Sequence, residues 1–448
     1  MKRILVLGAG QSSPCLIDRL LEAPVEVRVA DRDADAAARA VAGAARGAAV
    51  GFDATDEAGL RAEVGAADIV VNLLAPSFQV PVARACLAEG RSMVSASYRS
   101  SGLAALADEA EARGLSFASE LGLDPGLDHM SAMRLLETLR GEGRTILAFE
   151  SYGAGIADPD TVDNPLGYVV TWNPRNVVMA GEAGARFVDE GGIKVVPYPE
   201  VFRRTWTVEV PGLGPLDAYP NRDSFAYVEL YGLKHARRVL RATMRAPGFT
   251  EAWYALAKLG LANETITIPG LADLTWRQLT QCFLPEGRDR NLETRLADHL
   301  GLHRTSAALR TLRWLGLFER TRVGALTGEA VRTPAEAVRA LLTERLRLPP
   351  EGRDLVCLHH RIEASGREGE PEGIIARSTL IARGEVGGRT AMARTVGLPA
   401  ALATLGLLSG EIDAPGCPIP TEPRLYRVLL PQLEQAGLRF DEAREPNV

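Results

Sequence analysis

Apolar and polar positions repeat with two different periods along this chain, and each change of period marks an element. Ile4 to Leu7 is a continuous apolar run broken at Gly8-Ala9-Gly10, the pattern of a strand buried on both faces and ended by a turn. Leu16, Ile17, Leu20 and Leu21 then recur at helical spacing, and Val25, Val27 and Val29 alternate as a second strand closed by Asp31. Residues 68–74 predict another buried strand, Val80 to Glu89 a helix, Met93-Val94 a short strand, Leu103 to Arg113 a helix and Leu115 to Phe117 a strand. Strands alternating with helices predict an open parallel sheet whose ligand crevice lies at the carboxyl ends of the strands.

After Gly126 the texture changes. Met130, Met133, Leu136 and Leu139 predict a helix leaving the first lobe. Residues 151–221 are rich in Gly, Pro and Asn, with alternation at Phe187-Val188 and over Thr205–Val210, which reads as a mixed sheet with long loops. From Gly248 to Glu344 the period is helical, with turns at Gly260, Pro269 and Gly301. Leu355–His360 and Ile374–Arg383 return to strand, and Ala391–Gly406 and Tyr426–Gly437 to helix. The fold class expected is α/β. A Rossmann-type doubly wound sheet spans 1–128 and is completed by 387–448. A mixed α/β substrate domain takes 129–247 and 345–386, and a helical subdomain takes 248–344.

The opening strand, glycine turn and helix, with an acid about 20 residues on, form a dinucleotide-binding layout. Gly8 allows the tight turn, and Gly10 lets backbone approach a pyrophosphate at a helix N-terminus, where free N–H groups favour anions. Ser13 replaces the third glycine of the pattern as another small residue at the helix–sheet contact. Asp31 suits an adenosine ribose and repels a 2′-phosphate, by about 4 kcal/mol per unit charge at ~4 Å and an effective dielectric near 20. NAD is therefore favoured, with NADP the alternative because Arg32 stands beside Asp31. Three segments point at the cofactor: Leu74-Ala75-Pro76, Ala96-Ser97-Tyr98 and Leu121–Gly126.

Composition narrows the class. The chain has 448 residues, too many for one core, with 46% hydrophobic and 24% charged residues, as in an ordinary globular protein. A net charge of −6 argues against nucleic acid or an anionic membrane as partner. No secretory signal and no apolar run of bilayer length are expected, and Cys15, Cys86, Cys282, Cys357 and Cys417 lack C-x-x-C spacing. A cytoplasmic protein with reduced thiols is the expectation, and a homodimer is the assembly left open. His359 and His360 are adjacent on a strand and so point to opposite faces, which speaks against a metal site.

Several blocks carry a more specific signal: Val94–Tyr98, Glu120–Met130, Asp163–Tyr168, Ala218–Ser224, Thr243-Met244-Arg245 ahead of Gly248-Phe249, and Ala391–Pro399. In this order they make the chain resemble the glutamate-forming saccharopine dehydrogenases. It departs from that pattern at Gly153-Ala154-Gly155, where the family carries Cys-Gly-Gly, and at Ile156–Pro159, where it carries Leu-Pro-Ala-Pro. It also has Asp31-Arg32 where NADP-using fungal members have Cys-Arg.

The resemblance implies a CH–NH oxidoreductase of lysine metabolism that interconverts saccharopine with glutamate and aminoadipate semialdehyde. A substrate with three carboxylates calls for arginine forks. Arg222 and Arg245 match family positions that hold substrate, with Ser97, Tyr98, Asp124, Thr243 and Met244 completing the substrate set. Tyr98 and Asp124 are the catalytic candidates, for the amine proton. The cofactor set implied is Gly8, Gly10, Gln11, Ser12, Asp31, Arg32, Leu74, Ala75, Pro76, Ser97, Leu123, Asp124, Pro125 and Asn173. His129 suits acid–base work near neutral pH, though a structural role fits it better. A dehydrogenase of another opine-like or polyamine adduct and a non-catalytic NAD-binding sensor remain the alternatives.

Overall fold

The computed structural model describes residues 1–287, 291–370 and 372–447. Residues 288–290 of the expected helical stretch, residue 371 of the expected substrate domain and residue 448 lie outside the described residues. The chain forms two compact units, one of residues 1–146 with 360–448 and the other of 147–359. The division differs from the one read in the sequence: residues 129–146 and 360–386 fall in the first unit, and 248–344 share a unit with 147–247 and 345–359.

The first unit opens β1 (Lys2–Leu7), α1 (Pro14–Glu22), β2 (Val25–Asp31), α2 (Ala34–Ala40), β3 (Gly47–Gly51), α3 (Glu57–Gly65) and β4 (Ile69–Asn72). It goes on with α4 (Gln79–Glu89), β5 (Ser92–Ser95), α5 (Ser101–Ala104), α6 (Ala107–Ala112), β6 (Phe117–Ala118) and α7 (Leu127–Gly141). The six strands pair in the order β3-β2-β1-β4-β5-β6, and every pair is parallel. This is the dinucleotide-binding order, with its switch point between β1 and β4. The buried runs of β1 and β4 lie at the centre, as strands covered on both faces must. Two elements differ from the sequence expectation. The strand expected over 68–74 stops at Asn72, whose side chain accepts from the Leu74 amide at 3.1 Å and turns the chain outward. The helix expected over 103–113 breaks into α5 and α6, with exposed Ala105 and buried Leu106 between them.

The second unit contains β7 (Ile146–Ala157), α8 (Pro174–Val178), β8 (Ala185–Asp189), β9 (Gly192–Val196), β10 (Trp206–Val210), β11 (Gly214–Pro220), β12 (Arg222–Asp223), α9 (Ala226–Leu230) and β13 (Arg238–Arg245). Its strands run β10-β11-β13-β7, with β8 joined to β13, β9 and β12. Helices α10 (Phe249–Leu259), α11 (Trp276–Cys282), α12 (Leu292–Leu300), α13 (Ala307–Leu315), α14 (Gly324–Thr327) and α15 (Pro334–Arg345) follow. Their apolar faces, with Trp253, Trp276, Leu296 and Leu312, form one buried cluster with Phe202 and Tyr219. The departure at Ile156–Pro159 has a structural role here: fully buried Asp158 pairs with Arg353 at 2.5 Å.

Strand β14 (Asp354–Ala364) carries the chain back, and β15 (Gly373–Arg383), α16 (Ala391–Ser409), α17 (Pro423–Gln435) and β16 (Asp441–Asn447) finish the first unit. The expectation that no run reaches bilayer length is corrected. Helix α16 has 19 residues and is long and apolar enough to cross a membrane by length and composition. Its apolar surface is used inside the unit, where it packs on α1, α17, β4 and β5 with 67% of its apolar window buried. A Cβ at Gly397 would stand 2.7 Å from the Leu16 amide nitrogen, so α16 approaches the backbone of α1 directly.

Candidate functional site

The glycine turn joins β1 to α1. Gly8 has φ 107° and its amide donates to the Ala30 carbonyl at 2.9 Å, binding the turn to the end of β2. A Cβ on Gly8 would also press on the Leu73 backbone, 3.3 Å away. A Cβ on Gly10 would meet nothing within 4 Å. The turn is thus tight on the side of the sheet and open above Gly10, which leaves room for a pyrophosphate beside the first turn of α1. Gln11 and Ser12 line that opening from the exposed side, and buried Ser13 closes it from below, its hydroxyl donating to the Gly10 carbonyl at 2.8 Å. These residues fit a dinucleotide.

Asp31 ends β2 where the sequence places it, with a further task. One carboxylate oxygen accepts from the Ala9 amide at 2.7 Å and the other from the Asp33 amide at 2.9 Å. It fastens the glycine turn to the end of β2. Arg32 beside it is exposed. Leu74 is half-buried, and Ala75 and Pro76 are exposed on the turn after β4.

The turn after β5 and the loop after β6 bring the two catalytic candidates together. The Tyr98 hydroxyl donates to Asp124 Oδ1 at 3.2 Å, and both side chains are half-buried. Ser97 is anchored by its amide on Ser95 Oγ at 3.2 Å. The loop holding Leu123, Asp124 and Pro125 is tied at both ends. The Gly122 amide donates to the Pro125 carbonyl at 3.0 Å, and the Asp128 amide to Leu123 at 3.1 Å. Gly126, with φ 146°, lies so close to Gly122 that a Cβ would fall 2.0 Å from its carbonyl oxygen, so only glycine closes this loop.

Two residues beneath this pair carry no signal in the sequence. Buried Glu120 lies 2.8 Å from His129 Nε2, and buried Gln79 donates to the Tyr98 carbonyl at 3.0 Å. An acid just past a short strand and a glutamine opening a helix look like surface residues, and no local signal distinguishes them. His360, set aside as a metal ligand, instead lies 2.8 Å from the Ser131 hydroxyl on α7.

In the second unit the structure gathers the other substrate candidates. Strands β11 and β13 place Tyr219 opposite Thr243, Ala218 opposite Met244 and Asp217 opposite Arg245. The Asn221 amide group donates to the Thr243 hydroxyl at 2.8 Å, joining the Arg222 segment to β13. Arg222 is exposed, in the left-handed region with φ 57°, its amide on the Gly184 carbonyl at 3.1 Å. Met244 is fully buried. Arg245 is 8% exposed, with its guanidinium 5.2 Å from the Tyr168 ring centroid and 5.3 Å from that of Phe249. It donates to the Met244 carbonyl, its Nε has no hydrogen-bond partner, and no carboxylate among the described residues pairs with it. Asn173 lies in this unit too. It caps α8, its side chain accepting from the Arg175 amide at 3.0 Å, in a groove with Arg339 and Glu344.

The parallel six-stranded sheet, the open glycine turn and the acid at the end of β2 define a dinucleotide-dependent oxidoreductase. The chain matches the saccharopine dehydrogenase NADP binding domain over residues 4–117 and the saccharopine dehydrogenase C-terminal domain over 122–438, so it belongs to the saccharopine dehydrogenase family. It is 30% identical over 452 residues to the saccharopine dehydrogenase (NADP(+), L-glutamate-forming) of Pyricularia oryzae, covering 98% of each chain. It is 31% identical to the mitochondrial alpha-aminoadipic semialdehyde synthase of Mus musculus, covering 98% of this chain but 47% of that one. The apo saccharopine dehydrogenase (L-Glu forming) of Saccharomyces cerevisiae superposes with a TM-score of 0.88 at 27% identity, over 99% of this chain and 100% of that one. The dinucleotide class is as expected. The preference for NAD finds no support here, because the domain description and the Pyricularia oryzae relative's name both specify NADP.

Proposed function

We propose that this chain is a glutamate-forming saccharopine dehydrogenase of lysine metabolism, converting saccharopine and water to glutamate and aminoadipate semialdehyde, and running in reverse. The observation that carries the reading is Arg245, a buried guanidinium beside two aromatic rings with no carboxylate paired to it among the described residues. An unpaired buried charge is costly, and an anionic substrate repays that cost on binding. Arg222, Thr243 and Met244 complete the substrate set on this unit.

The bound dinucleotide supplies the hydride acceptor. The chain's own groups handle the rest. Asp124 takes the proton of the secondary amine as the carbon on the lysine side gives up its hydride, and the Tyr98 hydroxyl keeps Asp124 oriented. Water then adds to the imine carbon, and the carbon–nitrogen bond breaks to release glutamate and the aldehyde. This proton transfer needs no cysteine at Gly153. Gly8, Gly10, Gln11 and Ser12 take the pyrophosphate, Leu74, Ala75, Pro76 and Ser97 the nicotinamide end, and Asp31 and Arg32 the adenosine end.

NADP is the dinucleotide proposed, after the relatives. NAD is the second reading, favoured by the carboxylate of Asp31 at the ribose position. The test is turnover of saccharopine by the purified chain with each dinucleotide, followed through the absorbance of the reduced nicotinamide. Reduction with saccharopine, and none with lysine or a polyamine adduct, is the expected result. Tight dinucleotide binding without turnover of any amine donor would overturn the reading in favour of a sensor.

A further inference from the structure

Beneath the Tyr98–Asp124 pair lies a buried acid that grips both sides of Tyr98. Glu120 is 6% exposed, with φ 60°, a conformation non-glycine residues adopt only where their surroundings hold them. Its amide donates to the Ser97 carbonyl at 3.0 Å, and one carboxylate oxygen accepts from the Arg99 amide at 2.9 Å. Residues 97 and 99 are therefore both tied to Glu120, with Tyr98 between them. Gln79 adds a third tie: it donates to the Tyr98 carbonyl, and its own oxygen accepts from the Ser100 amide at 3.0 Å.

The second carboxylate oxygen of Glu120 lies 2.8 Å from Nε2 of His129, which is 1% exposed on the first turn of α7. A buried carboxylate needs a partner of opposite charge. Among the described residues, the charged groups that act on His129 include Asp128 on its own helix, Glu120 and Asp124. Burial favours neutral imidazole. Asp128, the Glu120 hydrogen bond and charge, and Asp124 together outweigh it and raise the His129 pKa. A cation at a helix N-terminus opposes the helix dipole, so the helix itself gives no reason for a charge at this position.

We propose that His129 is a positioning residue: by holding Glu120 it fixes the 97–99 turn, and with it the Tyr98 hydroxyl on Asp124. The inference deepens the functional reading above and rests on it.

The test uses the full chain with saccharopine and NADP. His129→Ala is expected to lower kcat about tenfold or more while the KM for NADP stays within about twofold. The acidic limb of its kcat/KM profile moves to higher pH, because a carboxylate deprived of a neighbouring positive charge keeps its proton longer. Glu120→Gln reproduces the fall in kcat. His129→Gln retains an N–H donor for Glu120 without the charge, so it recovers about threefold or more of the lost kcat and leaves the limb displaced.

A His129→Ala kcat within about twofold of the unsubstituted chain overturns the inference, as does a His129→Gln variant matching it in both readouts. Should His129→Ala not fold, an undisplaced limb in His129→Gln overturns it alone. An unsubstituted chain that binds NADP and leaves saccharopine untouched sinks the functional reading and the inference together. An active chain with unaffected variants sinks the inference only.

Discussion

The Ala9 amide donates to the Asp31 carboxylate at 2.7 Å, so the acid that closes the second strand is also a strut of the glycine turn. Removing it therefore has two effects. Asp31→Ala is expected to destabilise the chain by about 1–2 kcal/mol, the low end for bonds to a charged acceptor because the residue is partly exposed. It also shifts the ratio of kcat/KM for NADP over NAD upward by about fivefold or more, since a repulsion at the ribose position is gone. Chemical denaturation reads the first effect and dinucleotide kinetics the second. An unaltered ratio would show that Asp31 serves the turn alone.

Gly8 and Gly10 separate folding from binding. Gly8→Ala forces a side chain into a left-handed conformation against the Leu73 backbone, so a loss of about 1–3 kcal/mol is expected by denaturation. Gly10→Val has open space and is expected to melt within a few degrees of the unsubstituted chain, yet to raise the dinucleotide Kd about tenfold or more. Equal affinity in Gly10→Val would remove the pyrophosphate from this turn.

Arg245→Met exchanges a buried, unpaired cation for an apolar chain of similar length. Stability is expected to stay the same or rise by about 1 kcal/mol, while the KM for saccharopine rises about tenfold or more and dinucleotide binding holds. Calorimetry with steady-state kinetics distinguishes these. A large loss of stability with unchanged KM would make Arg245 a structural residue.

His129 also gives stability a pH dependence of known sign. Its pKa in the folded chain lies above the ordinary 6.5, because Asp128, Glu120 and Asp124 outweigh burial. Such a group stabilises fully below 6.5, and the contribution disappears as pH rises through the folded value. Unfolding free energies measured across that window should fall for the unsubstituted chain and fall less for His129→Gln. Parallel curves would mean that the imidazole is neutral throughout.

The central strands of the first unit were legible because burial on both faces leaves an unbroken apolar run, as in Ile4–Leu7 and Ile69–Val71. Strand β7 was not, although every residue in it is buried or half-buried, because Gly153, Ala154 and Gly155 dilute its period and mimic a loop. Strand β16 carries no apolar alternation at all. It is an exposed run held by its antiparallel ladder with β15 and by pairs such as Arg377–Glu445. The site shows the same division. Residue types and order marked Tyr98, Asp124 and Arg245, while the burial of Arg245 and the reach of Glu120 to His129 depend on tertiary packing that no local pattern encodes.

The close approach at Gly397 makes the order of synthesis matter. Helix α1, written near the start of the chain, meets its covering helix only when residues 391–409 have left the ribosome. Until then the nascent dinucleotide unit carries the apolar side of α1 and one face of β4 and β5 uncovered. Completion then depends on a backbone-to-backbone fit that a single methyl group at residue 397 would spoil.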